Sequence, residues 1–463
     1  MLYLDLLPNS IRRIQEMDVR VCVIGVGTIG LPLATFLAKV GFQVTGLDID
    51  QKRIDEINSA KVVYEYTDIL DDVVLKSKKL HATIEPKEAL DNAEIIFVCV
   101  PTPLNIKKEM DNSNLLDVAN RISPYLTKGM ILIFESSVAI GSTREISKTI
   151  ESLCNLKFGI DLGLAYCPER YNPTPMKKYT KDVDHTISAK GESFTVDRIS
   201  RVVGGIDEKS TKIAKTIYSQ FVKTDVLELS SIETAEATKL LENIFRDVNI
   251  ALVNELAKIY PKFGLDIYEI INAATSKPFA FMPHYPGAGV GGECIPVDTW
   301  YLISQAEKLG MDTRILNSAR QINDSMPTHM ITLLENELQK HGKELSSAKI
   351  SILGLCYKKN VPDIRLSPTL SIIEQLKEKK VNFLVCDPVY EKVDSSVQLT
   401  PLSNVFNDSD AILFVTDHDI FTTLDFSKIK DEMKTPLVID GRNFFSAEKL
   451  ISLGFYYRAI GKP

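Results

Sequence analysis

Apolar residues in the first part of the chain alternate between strand-like runs and helix-like runs. Residues 21–24 are continuously apolar, as in a buried strand, and Leu33, Leu37 and Val40 then repeat at helical spacing. A second strand-like run follows at residues 42–47, after a glycine that stops the helix. This order of strand, helix and strand predicts a parallel sheet covered by helices.

The alternation continues toward residue 170. Three further strand-like runs lie between residues 94 and 167, and polar side chains follow them: Thr102, Ser137 and Glu169. Since ligands bind beyond the carboxyl ends of the strands in such sheets, we expect these three side chains to line one crevice. Capping of the local loops is the alternative role for each of them.

Residues 231–323 have a helical pattern instead. Apolar side chains recur every three to five residues through 232–260, without glycine or proline, which predicts one long amphipathic helix. Lys239, Asn243 and Arg246 share one face of that helix. A solvated polar face is the alternative to a functional role, and a helix of this length is also a candidate dimer spine.

A second region of alternating strands and helices begins at Lys349. It lacks a GxGxxG loop, but Tyr357, Lys358 and Lys359 follow its first strand, where a charged phosphate would need neutralising. The predicted fold class is therefore α/β: two Rossmann-like, doubly wound sheets joined by a central helical domain with a long spine helix. The predicted domains are an N-terminal extension at 1–18, a nucleotide-binding domain at 19–230, the central domain at 231–325 and the second Rossmann-like domain at 326–463.

Composition and charge exclude some classes of partner. The 463 residues are 44% hydrophobic and 25% charged, which is ordinary for a globular protein. A net charge of −7 gives no basic footprint for nucleic acid. No apolar run approaches the ~18 residues of a transmembrane helix, so we expect no membrane insertion. The first 18 residues lack the apolar core of a signal peptide.

The chain has seven cysteines and no C-x-x-C pair: Cys22, Cys99, Cys154, Cys167, Cys294, Cys356 and Cys386. An odd number without paired spacing argues against a disulfide framework and a zinc site, so we expect no metal and a cytoplasmic location. Cys22, Cys99 and Cys386 lie in apolar strand-like runs and are expected to pack in cores.

The sequence Gly25-x-Gly27-x-x-Gly30 follows the first predicted strand and opens the first helix. Gly25 would allow the tight turn, Gly27 the close approach of a ligand and Gly30 the close packing of the helix. The helix N-terminus offers free N–H groups to a pyrophosphate. Asp48, after the next strand, can accept the ribose hydroxyl hydrogens and would repel a 2′-phosphate, which predicts NAD rather than NADP.

The stretch YPGAGVGGECIPVDTW, at residues 285–300, places Cys294 just after Gly291 and Gly292. Glycines let a backbone approach a ligand closely because they have no Cβ. A cysteine in such a loop is better placed to act as a nucleophile than to fill a core. A tight turn with a buried cysteine is the alternative.

Six motifs in order resemble the UDP-glucose/GDP-mannose dehydrogenase family: GVGTIGLPLA, VPTP, CPER, KLLENIFRDVNIALVNEL, GGECIPVD and KKNVPDIRLSP. The resemblance extends from Val19 to about Phe445 and implies a four-electron, NAD-dependent oxidation of a sugar C6 hydroxymethyl to a carboxylate. A thiohemiacetal and then a thioester would form on Cys294.

The resemblance also implies the roles of individual residues. Lys239 would stabilise the developing alkoxide, and Asn243 would orient the substrate. Asp298 would help to position or activate water, and Glu169 would assist thioester hydrolysis. NAD would contact Gly25, Gly27, Thr28, Ile29, Gly30, Asp48, Arg53, Thr102, Ser137 and Arg365. The UDP-sugar would contact Arg170, Tyr171, Lys239, Asn243, Arg246, Gly289, Tyr357 and Lys358.

The resemblance narrows the choice of sugar. Val297 stands where UDP-glucose members usually have lysine, as in members that act on UDP-N-acetylhexosamines. SKPFAFMPHYPGAG and PERYNPTPMKKYT resemble the UDP-N-acetylglucosamine branch, and the His-Pro-Arg element usual in the UDP-N-acetylmannosamine branch is missing. Ala288, Glu293 and Thr299 replace the usual proline, histidine and proline. An acid beside the nucleophile would raise the pKa of the thiol by like-charge repulsion.

Two functions of other kinds stay open at this point. A two-electron dehydrogenase of the 6-phosphogluconate or β-hydroxyacid type would share the first two domains, but would need neither Cys294 nor a third domain. A non-catalytic NAD-binding scaffold would leave Cys294, Lys239 and Asn243 without a common purpose. We expect a homodimer or a higher homo-oligomer that associates through the central helix.

Overall fold

The computed structural model describes residues 2–59, 79–170, 196–390 and 397–463. Contacts divide the chain into two compact units. The first unit comprises Met1–Glu242 and Trp300–Gln305, and the second comprises Asn243–Thr299 and Ala306–Pro463. Tyr171, expected to contact the substrate, lies outside the described residues, as does a predicted surface loop at 185–193.

An eight-stranded sheet with the order β3-β2-β1-β4-β5-β6-β7-β8 forms the first unit. Its strands are β1 (Arg20–Ile24), β2 (Gln43–Leu47), β3 (Leu80–Thr83), β4 (Ile95–Val98), β5 (Ile131–Phe134), β6 (Gly163–Tyr166), β7 (Arg201–Gly205) and β8 (Val226–Glu228). Neighbouring strands are parallel except β6 and β7, which pair antiparallel. Every residue of β4 and β5 is buried, as expected where helices cover both faces of a sheet.

Seven helices belong wholly to the described part of this unit: α1 (Leu7–Gln15), α2 (Gly30–Val40), α3 (Gln51–Asn58), α4 (Pro86–Leu90), α5 (Ser113–Ile122), α6 (Ser142–Cys154) and α7 (Glu208–Tyr218). They pack in two apolar cores, one on each face of the sheet. An eighth helix, α8 (Ile232–Ile259), begins in the first unit and ends in the second.

The first 18 residues are an integral part of the first unit. Leu2 and Ile14 are fully buried in one of its cores, and α1 packs against α7. The Arg13 guanidinium donates to both carboxylate oxygens of Glu94, at 2.8 and 2.6 Å. The segment to which the sequence assigned no role therefore covers one end of the sheet.

The second unit contains a five-stranded, wholly parallel sheet with the order β10-β9-β11-β12-β13. Its strands are β9 (Lys349–Leu353), β10 (Asn382–Cys386), β11 (Ala411–Phe414), β12 (Leu437–Asp440) and β13 (Tyr456–Ala459). Its helices are α9 (Ile267–Thr275), α10 (Ile295–Lys308), α11 (Arg314–Asp324), α12 (Met326–Lys340), α13 (Pro368–Glu378), α14 (Phe426–Glu432) and α15 (Ala447–Ser452). Residues Trp300–Gln305 of α10 belong to the first unit.

The predicted fold class is confirmed. Both sheets are dominated by parallel pairing, and the long helix predicted at 232–260 is α8. Among the described residues, no helix combines the length and the apolar composition that crossing a bilayer requires.

Candidate active site

The loop between β1 and α2 has the geometry that a dinucleotide requires. Gly25 has a φ of +82°, and a Cβ on Gly30 would lie 2.0 Å from the Gly25 carbonyl oxygen. A Cβ on Gly27 would meet nothing closer than Arg53, 3.9 Å away, so the space beside it is open. Gly25 therefore makes the turn, Gly30 allows close packing of the helix, and Gly27 leaves room for a ligand. Thr28 and Ile29 are half-buried just before α2, so their N–H groups lie at its N-terminus.

Asp48 lies at the end of β2, as predicted, and is nearly buried. One of its carboxylate oxygens accepts from the backbone N–H of Val26 at 2.9 Å and from the Arg53 guanidinium at 3.0 Å. The other accepts from the backbone N–H groups of Ile49 and Asp50. These contacts fix the carboxylate beside the glycine loop, and the first unit therefore fits NAD.

The crevice expected from the strand ends forms in part. The Thr102 hydroxyl donates to the carbonyl oxygen of Ser137 at 2.5 Å, so the loops after β4 and β5 are in contact. Glu169, after β6, is buried, with only 6% of its surface exposed. Its backbone carbonyl accepts from the Lys239 ammonium at 2.5 Å. Arg170 forms an ion pair with Glu242, in which Nη2 of Arg170 lies 2.6 Å from Oε1 of Glu242.

A buried charged cluster behind Glu169 was not predicted. The Arg201 guanidinium donates to the Glu169 carboxylate at 2.8 Å, and Tyr218 donates to Glu135 at 2.5 Å. Burial raises the pKa of Glu135 to about 7, an effect that the charge of Glu169 adds to and the charge of Arg201 opposes. The available signals were Glu135 directly after an apolar strand and Arg201 directly before one.

Cys294 is exposed and directly precedes α10, whose first-turn hydrogen bond runs from the Asp298 N–H to the Cys294 carbonyl at 3.0 Å. The positive end of the helix dipole stabilises a thiolate at this position. The alternative of a buried cysteine is therefore wrong. In the second unit Asp298 is fully buried and accepts from the Asn243 amide at 2.6 Å.

The two glycines before Cys294 pack closely on another part of the second unit. A Cβ on Gly291 would lie 2.6 Å from the Tyr357 Cβ, and a Cβ on Gly292 would lie 2.7 Å from the Tyr357 ring. Gly292 also has a φ of +83°. These glycines therefore allow the cysteine loop to pack on Tyr357, and the approach of a ligand to this loop stays a prediction.

The carboxylate of Glu293, beside Cys294, has a cationic partner. Arg365 donates to Glu293 and also pairs with Asp363 at 2.6 Å. Arg365 is thus shared between two carboxylates, and the expected effect of Glu293 on the pKa of the Cys294 thiol stays a prediction. Because Arg365 is half-exposed, it can also reach a ligand.

The remaining predicted substrate contacts among the described residues lie on three segments of the second unit. Tyr357 and Lys358 are half-buried in the loop between β9 and α13, and Gly289 has a φ of +137° beside Pro368. Arg246 is half-buried on α8, seven residues after Lys239. Lys358 and Arg246 thus offer cationic side chains for a phosphate-bearing substrate.

A buried pair of side chains, Asp387 and His418, holds the loop that contains Tyr357 and Lys358. Asp387 accepts from the backbone N–H of Leu355 at 2.6 Å and of Cys356 at 2.8 Å, and lies 3.1 Å from His418 Nε2. The other ring nitrogen of His418 accepts from the Asn360 N–H. Cys356, Asp387 and His418 have their ligand atoms within 4.8 Å of one another, but these hydrogen bonds occupy both His418 nitrogens, so the cluster does not fit a metal.

Known proteins resemble the chain throughout its length. Three domain profiles of the UDP-glucose/GDP-mannose dehydrogenase family match it: the NAD binding domain at residues 19–222, the central domain at 233–325 and the UDP binding domain at 351–447. A UDP-N-acetyl-D-mannosamine dehydrogenase of Methanococcus aeolicus is 33% identical over 96% of this chain and 95% of the relative. An NDP-N-acetyl-D-galactosaminuronic acid dehydrogenase of Ralstonia solanacearum is 30% identical over 94% of this chain and 98% of the relative.

Solved structures agree with these matches. The structure of a UDP-D-ManNAc dehydrogenase from Pyrococcus horikoshii superposes with a TM-score of 0.84 at 33% identity, covering 96% of this chain and 99% of the other. That of the UDP-N-acetyl-mannosamine dehydrogenase Cap5O from Staphylococcus aureus gives 0.77 at 29% identity, covering 96% and 99%.

Proposed function

Because the chain belongs to the UDP-glucose/GDP-mannose dehydrogenase family, it is an NAD-dependent nucleotide-sugar dehydrogenase, and we propose that it oxidises the C6 hydroxymethyl of a UDP-N-acetylhexosamine to the carboxylate. The observation that carries the four-electron reaction is the exposed Cys294 thiol at the N-terminus of α10. An oxidation that stopped at the aldehyde would need no nucleophile. NAD, bound at the glycine loop and Asp48, supplies the hydride acceptor.

In the first oxidation we assign Lys239 to the substrate oxygen. Its ammonium has three donors, of which one is used on the Glu169 carbonyl. A remaining donor can stabilise the alkoxide that develops as C6 loses its hydride. Asn243, four residues further along α8, is held by Asp298 and can orient the sugar.

The second oxidation requires Cys294. Its sulfur adds to the aldehyde carbon to form a thiohemiacetal, which loses a hydride and a proton to become a thioester. Water then adds to the thioester carbon, the C–S bond breaks, and the carboxylate leaves with the thiol regenerated. We assign Asp298 to the positioning of water and Glu169 to its deprotonation. The whole reaction consumes one water and delivers two hydrides.

For the sugar we propose UDP-N-acetylglucosamine, as the segments around residues 276–289 and 168–180 predict. Val297 supports an N-acetylhexosamine over glucose, because it is packed in the first turn of α10 with only 3% of its surface exposed. A lysine there would need a buried partner for its charge. UDP-N-acetylmannosamine is the second candidate, because relatives that are 32–34% identical carry that name. Arg170, Tyr357 and Lys358 are the proposed contacts of the UDP moiety.

We also propose a homodimer that forms through α8. Exposed apolar side chains lie seven residues apart on this helix: Phe245, Leu252 and Ile259, with Leu252 52% exposed. This spacing forms a continuous stripe suited to packing against a second helix. The mass measured by light scattering should correspond to two chains, and should halve when Phe245 and Leu252 are both replaced by glutamate. A wild-type monomer would contradict this assembly.

The test of the activity is a panel of UDP-N-acetylglucosamine, UDP-N-acetylmannosamine, UDP-N-acetylgalactosamine and UDP-glucose, with NADH followed by absorbance and products by mass. We expect about two NADH per UDP-N-acetylglucosamine consumed, because the cysteine-bound intermediate permits a second oxidation. A ratio near one with an aldehyde product would refute the uronate assignment. Faster turnover of another sugar would leave the reaction intact and refute the choice of hexosamine.

A further inference from the structure

The buried charged cluster of Glu135, Glu169, Arg201 and Tyr218 lies at the carboxyl edge of the first sheet. Its arrangement follows from the single antiparallel strand pair. Tyr166 on β6 is opposite Gly204 on β7, and continuing this register by three residues brings Arg201 opposite Glu169. A parallel β7 would place Arg201 at the other edge. The antiparallel direction of β7 thus places the Arg201 cation beside Glu169, the residue assigned to water activation.

Among the described residues, part of the hydrogen-bonding capacity of the cluster has no partner. Arg201 is fully buried, yet its Nε and Nη2 have no hydrogen-bond partner among the described residues. The same holds for one carboxylate oxygen of Glu135 within that part of the chain. A buried ion pair is weak support for stability, because well-packed apolar side chains are often equal or better. Stability alone therefore explains this cluster poorly.

Counting the charges shows how the cluster is balanced. The titratable groups that face one another are Glu135, Cys99, Cys167, Glu169, Arg201 and Tyr218, and Lys239 bonds to the Glu169 carbonyl. Burial raises the pKa values of Cys99, Cys167 and Tyr218 well above their usual range, so these groups stay neutral. One cation, Arg201, therefore faces two carboxyl groups, and Glu135 is the one that holds a proton near neutral pH.

We propose that Arg201 and Glu135 are positioning residues that hold the Glu169 carboxylate in place for the water activation assigned to it. This role rests on the proposed function. As the C–O bond forms and the thiolate leaves, Glu169 holds the proton of the water. Arg201 then faces two neutral carboxyl groups, and its uncompensated buried charge favours release of one proton, which restores the starting state.

The two positioning residues should affect the pH dependence differently. In Arg201→Met the Glu169 carboxylate loses its cationic partner, so the acid limb of the steady-state rate should move to higher pH. At pH 7 kcat should fall roughly 100-fold, with KM little changed and with a thioester adduct accumulating on Cys294 by mass spectrometry. Arg201→Lys should restore part of the rate. Glu135→Gln should leave the acid limb in place, because the carboxyl that it replaces is already neutral below its pKa of about 7.

Arg13→Met is the matched control, because Arg13 also forms a carboxylate pair in the first unit, but at the opposite end of the sheet. It should lower the unfolding temperature without moving the acid limb or trapping the adduct. If Arg201→Met behaved in the same way as Arg13→Met, the cluster would be structural and the proposed role wrong. If Arg201→Met failed to fold, a wild-type kcat without a trapped adduct in Glu135→Ala would overturn the role equally.

The proposed function would fail differently. If wild-type protein formed no NADH from any UDP-sugar, the dehydrogenase assignment and this role would fall together. A wild-type ratio of two NADH per sugar with unchanged profiles in the variants would overturn only the role of the cluster.

Discussion

The two sheets use an aspartate in the same place for different purposes. Asp48 follows the second strand of the first unit and accepts from the Val26 N–H, while Asp387 follows β10 and accepts from the N–H groups of Leu355 and Cys356. Each carboxylate thereby fixes the loop that leaves the preceding strand of its own sheet. The repeated fold therefore repeats this support as well.

Asp48 and Asp387 differ in their side-chain partner and in the length of the loop that each one holds. Asp48 pairs with Arg53, whose side chain is one-quarter exposed, and α2 begins six residues after β1 ends. Asp387 pairs with the fully buried His418, and its longer loop carries Lys358 to the sheet edge before α13 begins. The partner of Asp48 is within reach of a ligand, whereas the partner of Asp387 is fully buried. The architecture is thus duplicated, whereas the binding chemistry depends on what surrounds each carboxylate.

The largest effect is expected from replacing Cys294, the proposed nucleophile of the second unit. Cys294→Ser should lower production of the uronate by a factor on the order of 10³ or more, because a serine hydroxyl is a poor nucleophile at neutral pH. Binding of NAD and UDP-sugar, measured by calorimetry, should stay near normal, since the side chains are close in size. Slow NADH formation from the alcohol can persist, but supplying the C6 aldehyde should not restore the rate. Wild-type production of the uronate would make Cys294 structural.

Asp387→Ala tests the claim that this aspartate is structural. It would leave two backbone N–H groups and His418 buried without their acceptor, so the free energy of unfolding should fall by about 3–5 kcal/mol. Burial alone would raise the pKa of Asp387, but hydrogen bonds from His418 and the backbone hold it well below the usual range. The stability it provides should therefore be lost as the pH falls toward acid. A cost below 1 kcal/mol in urea titrations would break the comparison.

Glu135→Gln, with a control in the second sheet, compares how a buried acid affects the stability of each sheet. Burial raises the pKa of Glu135 from 4.5 to about 7, so the folded protein keeps a proton that the unfolded chain releases between those values. The wild-type protein therefore loses the stability that it gains from holding this proton as the pH rises. Glutamine does not titrate, so the variant avoids that loss. The variant should gain about 2–3 kcal/mol relative to wild type between pH 4.5 and pH 8.

Asp440 in the second sheet is the control, because burial also raises the pKa of Asp440 but its oxygens accept four hydrogen bonds. Asp440→Asn should therefore destabilise the protein at both pH values, since an amide offers only one acceptor oxygen. Parallel behaviour of the two variants in urea titrations would contradict the distinction.

Asp48→Ala should have the mildest effect and should act on ligand choice. Removing the carboxylate takes away the proposed reader of the ribose and releases Arg53, which can then meet a 2′-phosphate. The ratio of kcat/KM for NAD over NADP should fall by about 10- to 100-fold, with a loss of about 1–3 kcal/mol of stability from the backbone N–H groups left without their acceptor. The double variant with Arg53→Ala should lose the gain for NADP. An unchanged ratio would mean that another residue selects the cofactor.

Local patterns in the sequence predicted the elements and the glycine loop well. Gly25 and Gly30 have the conformation and packing that their spacing implied, and α8 begins at the predicted residue. Such features depend on neighbours in the chain. The three-domain division and the individual site residues stay predictions.

What the sequence could not reveal depends on distant contacts. Arg201 meets Glu169 only because β7 is antiparallel, and strand direction leaves no mark on apolar periodicity. Gly291 and Gly292 pack on Tyr357, 65 residues or more along the chain, and no local pattern indicates this contact. Residues 1–18 were predicted as an extension to the first domain, and the burial of Leu2 and Ile14 in its core was not predicted.

The discontinuous first unit has a consequence for biosynthesis. The last strand of its sheet ends at residue 228, yet Trp300–Gln305 also belong to this unit. Tyr301 donates to the Thr102 carbonyl, and the Gln305 amide exchanges hydrogen bonds with the backbone of Ile140. These contacts anchor the loops after β4 and β5, where NAD is expected. As the ribosome delivers the chain from its N-terminus, the nucleotide-binding loops can therefore mature only after part of the next unit has emerged.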